Sequence, residues 1–250
     1  LSRVEMKDAA VLGLLKIDIL GITELTILRT ICELIGWAVG DIYQIPLDDF
    51  ETLRGFSELD VAGVFQFEGD STKSILRQLP NLSFEQLVAC VALSKPGPAH
   101  SGSTTKYIAR ARGDNRIQTL NWHPILDNVT HATNGQIIYQ EQVLRIVKEI
   151  GNLSWTDTNK IRIAMSKSQG ESIVEAYWPF FLKGALDNGI IQKNAVVIWD
   201  NIKTMGRWGF NKSHAVSYAL LAWYSMYMKR HYQLEFYLAR LLKESDELKK

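Results

Sequence analysis

Gly209-Phe210-Asn211-Lys212-Ser213-His214 is the stretch whose reading decides how this chain folds. An amide, an ammonium, a hydroxyl and an imidazole follow one another and then give way to Val216, Ala219, Leu220, Trp223, Tyr227 and Met228 at helical spacing. That spacing predicts a long, packed helix over residues 215–230 with the polar cluster at its mouth. Unpaired N–H groups and the helix dipole point toward anything bound at a helix N-terminus, so the cluster suits a phosphate. The plainer reading is a cap, because Asn and Ser are favoured at helix starts in any case.

The totals are those of an ordinary globular chain. It has 250 residues, 46% of them hydrophobic, and a formal net charge of +1, enough apolar material for one large core or two modest ones. No run approaches the roughly 20 apolar residues of a membrane span, and no basic-then-apolar signal opens the chain, so a cytoplasmic setting is expected. Cys32 and Cys90 sit inside apolar helical patterns and read as buried thiols. The chain starts Leu1-Ser2 in what reads as mid-domain sequence, the expectation being a fragment. Residues 1–70 carry 13 acidic against 5 basic groups, and residues 141–230 reverse the balance. A basic half draws phosphates over a Debye length.

Outward from the opening stretch, the pattern is mostly helical. Residues 11–21 are an apolar run with Asp18 at the centre and predict a buried strand, in which a carboxylate must be paired, hydrogen-bonded or metal-bound. Residues 23–35 predict a helix stopped by Gly36. Residues 41–70 turn acidic and broken and end in the strand-like Gly63-Val64-Phe65-Gln66-Phe67-Glu68. Helices follow over 71–79 and 84–93, the second opened by the capping-box spacing of Ser83 and Gln86. Lys95-Pro96-Gly97-Pro98 must break it. Residues 101–112 predict a helix carrying Lys106, Arg110 and Arg112, and 121–134 a polar loop. Gly135 to Tyr139 reads as a strand-like piece running into a helix through Val143, Ile146, Val147 and Ile150. Thr156 or Asp157 caps a helix with Arg162, then come 171–188 with a kink at Pro179, 192–205, and 234–250.

Six phrases in this order are similar to the bacterial replicative DNA polymerase III alpha subunit, the C-family polymerases. They are Lys16-Ile17-Asp18-Ile19-Leu20-Gly21; Gly63-Val64-Phe65-Gln66-Phe67-Glu68; Ser94-Lys95-Pro96-Gly97-Pro98; Tyr139-Gln140-Glu141-Gln142; Arg162-Ile163-Ala164-Met165; and the Gly209–His214 stretch. The resemblance covers the end of the palm and most of the fingers. It implies a mainly α fold with a small β element: a helical fingers domain over 71–250, a connecting segment over 41–70, and over 1–40 the last strand of a palm like that of DNA polymerase beta.

The resemblance also implies chemistry. Such a palm holds two Mg²⁺ on three aspartates; Asp18 matches the third, and no Asp-x-Asp pair for the others occurs in the chain. Two metals assist in-line attack of a primer 3′-hydroxyl on the α-phosphate. Lys16, Arg162, Asn211, Lys212 and His214 match groups that meet the triphosphate, arginine gripping two oxygens and lysine acting as a point charge. The implied partners are a deoxynucleoside triphosphate, template-primer DNA, the remaining polymerase domains and a sliding clamp, and the fragment alone is expected to be inactive. Departures are Ile163 where a second arginine is usual, Ser166 for a glycine, Lys95 for an arginine, and Arg207-Trp208 for a glycine-aromatic pair. A different class of reading is a catalytically inactive, polymerase-derived helical module that contacts DNA or protein. In that case Asp18 is free to be buried and paired instead of lining a cleft with Lys16. An unrelated helical DNA-binding protein fits worse, because the aromatic helix over 215–230 reads as core and not as a groove reader.

Overall fold

The computed structural model describes residues 5–15, 17, 19, 21–120, 122–165, 174–206 and 209–248. Fourteen α-helices account for most of them: α1 (Met6–Val11), α2 (Thr23–Ile35), α3 (Phe50–Ser57), α4 (Asp70–Leu76), α5 (Phe84–Leu93), α6 (Pro96–His100), α7 (Ser103–Ala111), α8 (Pro124–Thr130), α9 (Gln140–Glu149), α10 (Trp155–Met165), α11 (Trp178–Asp187), α12 (Gln192–Gly206), α13 (Lys212–His231) and α14 (Gln233–Leu248).

Local chemistry accounts for several boundaries. Gly36 ends α2 in the left-handed conformation at φ 75° and returns its N–H to Glu33 and Cys32. At the start of α5 the Ser83 hydroxyl accepts from the Gln86 N–H and the Gln86 side chain accepts from the Ser83 N–H, the reciprocal pair the spacing predicts. The Pro-Gly-Pro stretch ends α5, but Pro96 then starts the short α6, where its missing N–H is no loss. Pro179 likewise sits in the first turn of α11, which follows a break at Tyr177 after the helical residues 174–176.

Two cores divide the molecule. The first packs α2, α3, α4, α5, α7, α13 and α14 around Trp223, which is fully buried. Trp223 stacks over Phe56 at 6.5 Å, meets Phe84 edge-on at 5.9 Å and donates its indole N–H to the Pro46 carbonyl at 3.0 Å. Burying one such ring stabilises by about 4 kcal/mol on an area basis. The second core packs α8 to α12 around Phe181 and Trp199, whose rings lie 4.8 Å apart. Gly184 lets α11 cross directly over the Gly151 backbone, leaving no room there for a methyl group.

The strand expected over 11–21 is not found among the described residues. α1 runs to Val11, and Leu12, Leu14, Leu15, Ile17 and Ile19 are exposed and outside any ladder. A strand needs a paired neighbour to satisfy its backbone, and none is in place here. Asp18 and Lys16 lie outside the described residues. The strand-like phrase at 63–68 is also corrected. Gly63 and Gln66 take positive φ, 75° and 63°, which coils the segment into turns with Val61, Val64 and Phe67 fully buried at three-residue spacing. Residues 41–70, expected as a connecting segment, contribute Ile42, Ile45, Phe56, Val61, Val64 and Phe67 to the first core. The single isolated bridge among the described residues is parallel and joins Tyr139 to Phe210. No described helix is long and apolar enough to cross a membrane.

α13 is the spine of the first core and packs against α2, α3, α5 and α14. Its last turn is tied down by charge. The Lys229 ammonium, almost wholly buried, donates to the Asp60 carboxylate at 2.6 Å and to the Asp60 and Ala62 carbonyls at 2.9 Å each. Seventeen residues before Lys229, about 25 Å along the axis at the usual helical rise, Lys212 opens the helix at its mouth.

Candidate functional site

Asn211 caps α13. Its side-chain oxygen accepts from the His214 N–H at 2.8 Å and from the Ser213 hydroxyl at 2.9 Å. Its amide nitrogen donates to Glu141 Oε1 at 2.9 Å, and the Lys212 N–H donates to Glu141 Oε2 at 2.9 Å. Two of the backbone donors read as a phosphate receptor are therefore already engaged, one by a carboxylate of the same chain. That leaves the side chains, more than the main chain, free to meet a ligand. Lys212, Ser213 and His214 are all exposed. The Lys212 ammonium stands 5.8 Å from the centre of the Tyr139 ring, and the His214 imidazole lies between Tyr218, at 4.1 Å, and Phe210, at 5.4 Å.

The segment entering α9 holds this mouth in place. The Gln140 N–H donates to the Phe210 carbonyl at 2.9 Å, and its side-chain amide donates to the Gly209 carbonyl at 2.7 Å. A Cβ on Gly209 would meet the Gln140 side chain at 3.0 Å, so a bare backbone suits this close approach. Gln142, buried, accepts from the Ile138 and Tyr139 N–H groups at 2.8 and 2.9 Å and donates to the Val129 carbonyl and the Thr133 hydroxyl at 3.0 and 2.7 Å. Burial pushes the Tyr139 phenol well above its ordinary pKa, keeping it neutral. The seam lies where the two cores meet: Ile138 and Tyr139 belong to the first, Ile137 and Val143 to the second.

Arg162 lies on α10, half-buried, with its Nε donating to Asn159 at 3.0 Å. Met165, at the end of the same helix, approaches to 3.5 Å of where a Cβ would stand on Gly206, on the approach to Gly209. Asp157, in the first turn of α10, is held below its ordinary carboxylate pKa by the Ser154 hydroxyl and then by Lys160. α13 thus gathers Asn211, Lys212 and His214, whereas Arg162 comes from a separate helix and makes no direct contact with them. A pocket of about 190 Å³ adjoins Lys212, lined by Tyr139, Thr133, Phe84, Glu85 and Val216 among others. A larger cleft of about 580 Å³, with Tyr177, Phe180 and Lys183, lies between residues 151–154, which precede α10, and α11. On α7, Lys106 and Arg112 are exposed, while Arg110 is tied to the Asp114 carbonyl and to Asn115 at 3.1 and 3.0 Å.

Among the described residues no three His, Cys, Asp or Glu side chains come together so as to hold a metal ion. These residues do not make up a two-magnesium centre, which needs clustered hard oxygen donors. Gln140, Glu141 and Gln142 are the site residues to which sequence reasoning gave no role. The one available signal was three long polar side chains in a row opening an amphipathic helix.

Comparison with known proteins places these features in a family. The family model described as the bacterial DNA polymerase III alpha subunit finger domain matches residues 24–189. The DNA polymerase III subunit alpha of Staphylococcus aureus strain COL is 36% identical over 240 residues, covering 95% of this chain and 22% of the relative. That of Buchnera aphidicola subsp. Acyrthosiphon pisum strain APS is 33% identical over 259 residues, covering 100% of this chain and 22% of the relative. The chain spans about a fifth of the length of the curated relatives it matches, 22% in each case.

Proposed function

The chain belongs to the bacterial DNA polymerase III alpha subunit finger domain family, and on that premise we propose that it grips the incoming deoxynucleoside triphosphate and the template-primer for a DNA-directed DNA polymerase. The observation that carries this reading is the exposed Lys212-Ser213-His214 face at the mouth of a rigid, 20-residue helix. Lys212 supplies a mobile positive charge for the phosphates. Arg162 supplies a planar fork able to take two phosphate oxygens, aimed from α10. His214 has two ring neighbours, Tyr218 and Phe210, that restrict its imidazole, and it offers a nitrogen to the ligand. Asn211, with both side-chain ends engaged, acts on the nucleotide by holding the other two in register.

Residues 1–40 are proposed as palm, with Lys16 and Asp18 beside the reacting phosphate and Asp18 as one magnesium ligand, and 71–250 as fingers. When bound in the complete polymerase, the metal pair would activate the 3′-oxygen and stabilise the leaving pyrophosphate. Duplex contact is proposed through Lys106, Arg112 and the basic helices after residue 141. Such contacts give affinity that falls steeply with salt and carries no base preference. The test is reconstitution: with the upstream palm portion supplied and Mg²⁺ present, the pair extends a primer and Asp18→Asn abolishes extension. Extension that survives Asp18→Asn contradicts the assignment. No extension with either version supports the inactive-module reading instead.

A further inference from the structure

The carboxylate at the mouth of α13 comes from another helix, 70 residues earlier in the chain. Glu141 divides its oxygens between the two things that set the mouth's geometry, the Asn211 side chain and the Lys212 backbone, at 2.9 Å each. We infer that Glu141 is the positioning residue of the nucleotide-binding end of α13. By taking Asn211 Nδ2 it fixes the Asn211 side chain with its oxygen on the His214 N–H. By taking the Lys212 N–H it pins the Lys212 backbone to α9, which leaves the ammonium and the imidazole free to project. This inference rests on the reading of Lys212 and His214 as triphosphate ligands.

Two physical consequences follow. A lysine reaches its target through four rotatable bonds, so the placement of its Cα decides where a bound phosphate is met, and an ångström of misplacement is enough to spoil the grip. A resident anion also occupies the helix N-terminus, which favours one negative group and disfavours a second beside it. The triphosphate is therefore held by side chains in front of the mouth and not by the amides within it.

The test is steady-state primer extension with varied triphosphate, in the full-length polymerase that carries this segment. Glu141→Ala raises the triphosphate KM by about tenfold, the loss of one or two hydrogen bonds' worth of alignment, with kcat within about threefold. Glu141→Gln keeps one carbonyl oxygen for the Lys212 N–H and brings the rise down to about threefold. Asn211→Ala added to Glu141→Ala raises KM by less than the product of the two single effects, because the two residues share one contact. If Glu141→Ala does not accumulate as folded protein, the rise in Glu141→Gln decides, and no rise there overturns the inference. An unchanged KM in Glu141→Ala beside a raised KM in Lys212→Ala overturns the inference and leaves the site reading standing. A lowered melting temperature and kcat with KM unchanged marks a structural latch and overturns it too. An unchanged KM in both Lys212→Ala and His214→Ala removes the site reading, and the inference with it.

Discussion

Removing Asp60 should harm this protein more than removing Lys229, although the two are partners in one ion pair. The Lys229 side chain is 1% exposed and the Asp60 side chain 37% exposed, so the two ends of the pair stand in different solvents. Asp60→Ala leaves a buried ammonium with two backbone carbonyls and no counter-charge. Stranding a buried charge costs about 3–5 kcal/mol; the two remaining acceptors reduce this to about 3. Lys229→Met leaves a carboxylate that water and Arg230, 3.4 Å away, still satisfy, and it buries an apolar chain in place of a charge. Its cost is about 1–2 kcal/mol, from the carbonyls that lose a donor. The double variant should then be more stable than Asp60→Ala alone, because the second change removes the stranded charge. Urea titration followed by circular dichroism reads this directly as midpoints, provided the slopes agree. A Lys229→Met variant as damaged as Asp60→Ala, or a double variant showing the sum of the two losses, refutes the reasoning.

Gln142→Leu leaves the Ile138 and Tyr139 N–H groups buried without acceptors and should cost about 2–4 kcal/mol, seen as a lower urea midpoint. Gly184→Ala places a methyl group against the Gly151 backbone, which no rotamer change can relieve; a loss of about 3 kcal/mol or more, or failure to fold, is expected in thermal melts. Burial raises the Asp49 carboxyl, but hydrogen bonds from His231 and Thr52 outweigh it and hold the group below its ordinary value of 3.8. The unfolded chain then binds that proton more tightly, so Asp49 contributes stability that is present above pH of about 3.8 and is lost as pH falls through its folded value. Asp49→Asn should flatten that part of an acid-unfolding curve.

Capping and apolar-spacing signals within one helix were legible in the sequence. The glycine after α2, the Ser83–Gln86 pair and the apolar spacing of α13 are short-range features, and each boundary follows from groups within four residues of it. α8 is hidden because Asn, Asp, Thr and His over 121–134 look like loop; its buried face holds only two apolar residues, Leu126 and Val129, beside Thr130, and it is started by Pro124 and capped by the His123 ring. The turns at 63–68 imitate a strand because Phe65 and Phe67, two apart, and the neighbouring Val64 fit an extended segment until two positive φ angles break the extension. The Asn211 and Lys212 part of the site was legible as a cluster. Its anchor was not, because nothing near Glu141 in the chain announces partners 70 residues on. The same limit hides Lys229's link to Asp60, 169 residues away.

The central claim is that Arg162 and the mouth of α13 hold one triphosphate. Its most direct test is equilibrium binding of a non-hydrolysable deoxynucleoside triphosphate to the full-length polymerase on a template-primer, comparing Arg162→Ala with Lys183→Ala. Lys183 is a fair control, since it lines the separate cleft with Tyr177 and Phe180. Loss of a charge-assisted grip should raise Kd by about tenfold or more in Arg162→Ala, while Lys183→Ala stays within about twofold. Equal losses in the two variants contradict the account.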